Sequence, residues 1–273
     1  MRRHFTARKP SDLRPHDHVA WRGESADTLV SVAARSFAAA AARGEQLHFV
    51  ADSAEQAHRL AAREGYGELL ERGVLHLSTV DAAYRAFPDT AALRRGFEDL
   101  LGAALRDGYS GICVVADNTR LADGTDEEFA AWLAWEAVAD RLQERLPITG
   151  VCYFDRTRVP GRRMADLAAL HPVLSPGFGR PSFQLFADGD ALAVAGEVDT
   201  LSAPRFAQLL HVHGGAEVPV VDLSRLGFID HRGLTVLGGL GARGRPVQVR
   251  GASPTVRRLL RLLDGAVPSM ELR

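Results

Sequence analysis

A chain of 273 residues with 46% hydrophobic content can bury at least one sizeable core, and its length favours one large or two modest domains. With 33 Lys and Arg against 34 Asp and Glu, a formal charge of −1, no overall field would hold the protein on nucleic acid or an anionic membrane. Two cysteines, Cys113 and Cys152, are too few for a disulfide framework, and no stretch of about 18 apolar residues or secretory signal is visible, so the cytoplasm is the expected location, without a nucleic-acid or membrane partner.

Residues 1–16 are basic (Arg2, Arg3, Arg8, Lys9, Arg14), contain Pro10 and Pro15 and lack apolar periodicity; a disordered leader is expected there. From Asp17 onward short apolar runs alternate with long helical patterns, the rhythm of an α/β fold with a mainly parallel sheet. Strands are expected at His18 to Trp21, Gln46 to Ala51, Val74 to Ser78, Gly111 to Ala116 and Ile148 to Phe154. Between them Ser25 can cap a helix that runs to Arg43 and stops at Gly44, Thr90 opens one ending near Gly108, and Thr125 caps Asp126 to Leu146, whose first-turn acids suit the positive helix end. Residues 17–174 are read as the first domain. A Pro- and Gly-rich stretch, His171 to Ser182, supplies a linker at 175–182.

The second domain is read as 183–273. Phe183 to Ala187 and Ala191 to Ala195 flank Asp188-Gly189-Asp190, a hairpin signal. Then follow a helix from Ala203 to His213 capped by Ser202, a strand from Val218 to Leu223, a helix from His231 to Ala242, a strand from Val247 to Arg250 and a helix from Ser253 through Leu263.

Gly196-Glu197-Val198-Asp199, Ala203-Pro204-Arg205, Val220-Val221-Asp222-Leu223-Ser224, Phe228-Ile229-Asp230 before Gly233-Leu234, and Ser253-Pro254-Thr255-Val256-Arg257 follow one another from about Phe183 to Gly265. In order and spacing this region resembles the STAS domain of anti-sigma-factor antagonists. The resemblance implies a protein-binding loop at Asp230, His231, Arg232 and Gly233, with an anti-sigma factor or another kinase-like regulator as partner. In that family a Ser just before the Gly is phosphorylated to end binding; a phosphoryl group adds about 1.5 to 2 negative charges to the docking surface. Here Arg232 occupies that place, so the usual switch is missing, and Ser224 and Thr235 are the nearest hydroxyls in sequence. The loop either docks in a form no kinase can turn off or belongs to a degenerate scaffold.

Asp17-His18-Val19-Ala20-Trp21, Arg43-Gly44-Glu45 before a strand ending Val50-Ala51-Asp52, Cys152-Tyr153-Phe154-Asp155 and His171-Pro172 resemble the MEDS sensory domain. That family, defined from dichloromethane-responsive and methanogen regulators, has a RecA-like α/β core and often precedes a STAS domain. The fold class expected is therefore α/β, a RecA-like, mostly parallel sheet domain followed by a smaller STAS-type α/β domain. The resemblance implies sensing of a small hydrocarbon-derived molecule through His18, Cys152 and His171, with Tyr153 and Asp155 in the same motif, although Ala20 stands where the family commonly has a second Cys. Asp117 and Glu136 are the acidic positions added to this set, at strand ends and on the following helix, where open α/β sheets bind ligands. Nothing in the spacing of His18, Cys152 and His171 resembles a closed zinc site, so neither a metal nor a cofactor is assigned.

A RecA-like core raises nucleotide hydrolysis. A phosphate loop needs glycines and Lys-Ser/Thr at a helix start, whereas Arg22-Gly23-Glu24-Ser25-Ala26-Asp27 brings two carboxylates there. With no nucleophile elbow, Cys-x-x-Cys or His-Glu-x-x-His either, the chain reads as a regulator and not an enzyme. The competing readings are a ligand- or nucleotide-binding enzyme remnant in the first domain and an inert adaptor.

Overall fold

The computed structural model describes residues 2–213, 220–241, 246–263 and 270–273; Val218, Ala242 and Gly265, expected edges of a strand, a helix and the second domain, lie outside them. The chain forms two compact units, residues 3–167 with 172–179, and residues 180–273 with Arg2 and 168–171. Residues 168–171 nevertheless join a helix and a strand of the first unit in the chain.

In chain order the first unit contains β1 (Phe5–Thr6), β2 (His18–Gly23), α1 (Ala26–Ala41), β3 (Gln46–Ala51), α2 (Ala54–Ala61), α3 (Tyr66–Glu71), β4 (Leu75–Thr79) and α4 (Val80–Ala83). It continues with α5 (Thr90–Arg106), β5 (Ile112–Asp117), α6 (Thr119–Asp123), α7 (Asp126–Arg145), β6 (Ile148–Asp155), α8 (Gly161–Leu170) and β7 (Val173–Leu174). The strands form one seven-stranded sheet in the order β1-β7-β2-β6-β5-β3-β4, parallel at every pairing. β3 and β5 are buried along their whole length, as apolar runs covered on both faces must be.

Local chemistry sets the helix limits. Ser25 Oγ accepts from Thr28 N at 3.2 Å to start α1, and Gly44, at φ +79°, turns the chain after it. Thr125 and Glu128 form a reciprocal capping box at the start of α7. α5 is capped by Asp89, one residue before the expected Thr90. On one face of the sheet Val19, Phe49, Val115 and Val151 cluster with Leu29, Ala33 and Phe37 of α1, all nearly free of solvent; each fully buried Leu, Val or Phe contributes roughly 1.5–3 kcal/mol. Pairing of His18 with Gly150 and of Ala20 with Cys152 places these four on the opposite face, where a Cβ on Gly150 would lie 2.3 Å from Gln143 Oε1 of α7.

Residues 2–16 are not the disordered leader expected. β1 pairs with β7, Pro10–Asp12 form a 3-10 turn, and Ala7 and Leu13 are buried. Asp17 holds this segment by accepting from Arg3 Nη1 at 2.6 Å and Arg14 N at 2.9 Å, so one of its positive charges, that of Arg3, pairs with a buried carboxylate. The expected linker likewise contains a 3-10 turn at Pro176–Phe178.

The second unit contains β8 (Phe183–Asp188), β9 (Ala191–Val198), α9 (Ala203–Val212), β10 (Val220–Ile229), α10 (His231–Gly238), β11 (Val247–Arg250), α11 (Pro254–Leu262) and β12 (Met270–Leu272). Its sheet runs β12-β11-β10-β9-β8, parallel except for the β8–β9 hairpin, which turns at Gly189 with φ +67°. β10 extends six residues past the expected end at Leu223, through two register shifts against β9. Ser202 does not cap α9; its Oγ donates to Asp199 Oδ1 at 2.8 Å, and Asp199 Oδ1 accepts from Ser202 N.

Candidate functional site

The face of the first sheet that carries His18 and Cys152 is covered by α7, whose Glu136, Asp140 and Gln143 recur at helical spacing toward it. His18, Glu136 and Asp140 have no solvent exposure. His18 Nδ1 lies 3.2 Å from Asp140 Oδ1 and its Nε2 3.2 Å from Glu136 Oε2. Cys152 Sγ is 3.7 Å from His18 Nε2 and 3.8 Å from Glu136 Oε2. His171, at the junction of α8 and β7 and fully buried, completes a set in which one ligand atom each of His18, Glu136, Cys152 and His171 lies within 4.8 Å of the others.

Burial alone would lower the His18 pKa, but hydrogen bonds and charge from Asp140 and Glu136 outweigh it and the pKa is raised. Burial, with Glu136 beside it, pushes the Cys152 thiol well above its ordinary range. Cys152 also lines a cavity of about 30 Å³ with Tyr84, Phe97, Ala116, Trp135 and Gly150. On this measure a water needs roughly 10–15 Å³, so the cavity takes one or a few non-hydrogen atoms. Trp132 and Trp135 are packing residues: Tyr84 meets Trp132 edge to face at 5.2 Å and Phe97 stacks tilted on Trp135 at 5.4 Å.

Of the seven residues proposed from sequence for sensing, four converge here and three do not. Asp117 accepts from Gln56 Nε2 at 2.8 Å and from Thr119 N at 3.1 Å, and serves the end of β5. Tyr153 points to the α1 face, where its hydroxyl donates to Ser25 O and accepts from Ser25 N. Asp155 accepts from the backbone and hydroxyl of Thr157 in the following turn. Alternation along β6 explains the split, since Tyr153 must face away from Cys152. Asp140 escaped the sequence reading; its position four residues after Glu136, one turn further along the same face of α7, is the signal that would have found it. At the end of β2, Glu24 is bound by Arg156 at 2.5 Å and Asp27 by Arg59 at 2.7 Å.

In the second unit Asp230 caps α10, accepting from Gly233 N at 3.0 Å through Oδ1 and from Thr200 Oγ1 at 2.6 Å through Oδ2. Although partial burial pulls the other way, the Thr200, Gly233 and Arg232 donors hold its carboxyl below the usual range. His231 and Arg232 are exposed, whereas Gly233 is buried against Val198 and Ile229 and belongs to the packing. Leu201, next to Thr200, is 88% exposed, and Phe228, two residues before Asp230, is 49% exposed. Thr200, absent from the sequence account of this loop, is a hydroxyl that reaches it directly; Thr235 donates to His231 O at 2.8 Å.

Comparison with known families agrees with both units. Residues 17–172 match the family model described as MEDS, the methanogen/methylotroph, DcmR sensory domain, and residues 183–266 match the model described as Mlab, STAS domain. The chain belongs to the MEDS family, and a STAS domain follows its MEDS domain. Solved structures similar to it include an anti-sigma factor antagonist from Mycobacterium paratuberculosis, at 25% identity and TM-score 0.26 over 32% of this chain and 83% of that one. Another is the flagellar accessory protein FlaH from Methanocaldococcus jannaschii, at 13% identity and TM-score 0.39 over 66% of this chain and 76% of that one. At these scores no residue correspondence follows. No curated protein matches the sequence. No helix among the described residues is long and apolar enough to cross a membrane.

Proposed function

We propose that this is a cytoplasmic, non-catalytic regulator whose STAS domain docks on an anti-sigma factor or a similar kinase-like protein, with a small molecule sensed by the MEDS domain as input. The observation that carries the reading is the surface at the start of α10. Leu201, whose neighbour Thr200 donates to Asp230, and Phe228, two residues before Asp230, stand exposed, Asp230 is fixed by two hydrogen bonds, and His231 and Arg232 are exposed beside it. Large apolar side chains next to an exposed Arg have the composition of an interface anchor. Arg232 offers a carboxylate a planar set of donors and has no hydroxyl to serve as the family's phosphoacceptor, so binding here is not ended by phosphorylation of a Ser at that position. The aromatic-lined cavity beside Cys152 supports the sensing half of the reading, since its volume suits a ligand of very few atoms.

The test is capture of partners from native lysate by the full chain, followed by purification of the protein retained. A kinase-like anti-sigma protein should be held by wild type and lost by Leu201→Asp and Phe228→Asp, with both variants folded by circular dichroism. Retention of that partner by both variants would remove this surface from the interface.

A further inference from the structure

We infer that His18, Glu136, Cys152 and His171 form a four-ligand site for a zinc-class divalent cation, with Asp140 as the outer carboxylate that orients His18. All four residues lie within the span matched by the MEDS model, and the inference does not rest on partner binding by the STAS domain.

The donors come from four places in the chain: β2, α7, β6 and the α8–β7 junction. This is why no ligand spacing is visible in the sequence. Two imidazoles, a thiol and a carboxylate make a mixed nitrogen, sulfur and oxygen set, the choice of zinc and of cobalt in its place, and not of calcium or magnesium. With zinc about 2.0–2.1 Å from nitrogen or oxygen and about 2.3 Å from sulfur, the edges of a tetrahedral site measure roughly 3.3–3.6 Å. The observed edges are 3.2 Å for His18 Nε2 to Glu136 Oε2, 3.7 Å for Cys152 Sγ to His18 Nε2 and 3.8 Å for Cys152 Sγ to Glu136 Oε2. Three donors thus stand within a few tenths of an ångström of ligating positions, and His171 brings the whole set within 4.8 Å.

A purely ionic reading fits less well. An imidazolium held between two carboxylates makes charge-assisted bonds of about 2.7–2.9 Å, whereas both His18 contacts are 3.2 Å. Asp140 instead stands where metal-bound histidines have their outer partner: it accepts from Nδ1, fixes the tautomer and leaves the Nε2 lone pair directed at the other three donors. A dication would also be compensated by the Cys152 thiolate and the Glu136 carboxylate, which suits a site with His18, Glu136 and His171 fully buried. Four protein donors leave no open position, the arrangement of a structural centre.

The experiment uses tag-free full chain stripped with chelator and titrated with cobalt, then zinc. One equivalent of cobalt should bind and give the strong visible bands of a tetrahedral site together with a thiolate-to-cobalt charge-transfer band, and zinc should displace both. Cys152→Ser should abolish the charge-transfer band while Cys113→Ser keeps it. Asp140→Asn should weaken zinc about 10- to 100-fold in chelator competition. If Cys152→Ser does not fold, Glu136→Gln, judged by loss of the visible bands, takes its place. No saturable cobalt in wild type, or a charge-transfer band unchanged in Cys152→Ser, would overturn the site.

Discussion

His48, on β3 and outside the cluster just described, is one buried side chain that contributes to the response to pH. Burial first, and then the His76 ring stacked on it at 5.0 Å, lowers its pKa from 6.5 to about 4. The folded protein therefore binds this proton less tightly than the unfolded chain. Near pH 7 both states are neutral there and nothing is lost; as pH falls from about 6.5 to 4 the unfolded state alone takes up the proton, costing up to about 3 kcal/mol of stability. The melting temperature of wild type should fall more between pH 7 and 4.5 than that of His48→Gln, and equal falls would contradict the assignment. At this scale the sequence was readable where a residue's neighbours are local. Ser25 and Thr125 announce their helices because a cap contacts only the next turn. Asp140 did not stand out, because the histidine it binds is 122 residues away.

Among the elements, α10 depends on a close approach that only glycine allows. A Cβ at Gly233 would meet Ile229 Cγ1 at 2.6 Å and Val198 Cγ1 at 2.9 Å, in well-packed surroundings on β10 and β9. Gly233→Ala should lower stability by about 1–3 kcal/mol through overpacking, read as an earlier thermal transition with Asp230 and Arg232 untouched. An unchanged transition would contradict that packing role. Strands with an apolar run buried on both faces, such as β3, were legible almost to the residue, as was the short β11. β10 was not, because Ser224-Arg225-Leu226-Gly227 has the composition of a turn although the chain continues as a strand through its register shifts. β1, β7 and β12 are two or three residues long and are defined by backbone pairing with distant strands, for which side chains give no pattern.

For the whole molecule, the alternation of strand and helix, the break in composition near residue 180 and the family motifs were enough to give two α/β domains, whereas the ordered leader depends on backbone pairing and on Asp17. Pro176, Gly177, Gly179 and Arg180 between the two family matches are at least partly exposed. A non-specific protease should cut within 176–182 and leave a C-terminal fragment that unfolds cooperatively; a fragment unfolded by circular dichroism would show that residues 183–273 are not a domain on their own. Central to the proposed function is that the STAS domain meets its partner at the start of α10. Its most direct test is the Kd of the purified kinase-like partner for the full chain and for Arg232→Asp, measured by calorimetry. Reversing a charge that pairs with a buried acidic group should cost about 2–5 kcal/mol, a loss of roughly 30-fold or more, and an unchanged Kd in the folded variant would contradict that role.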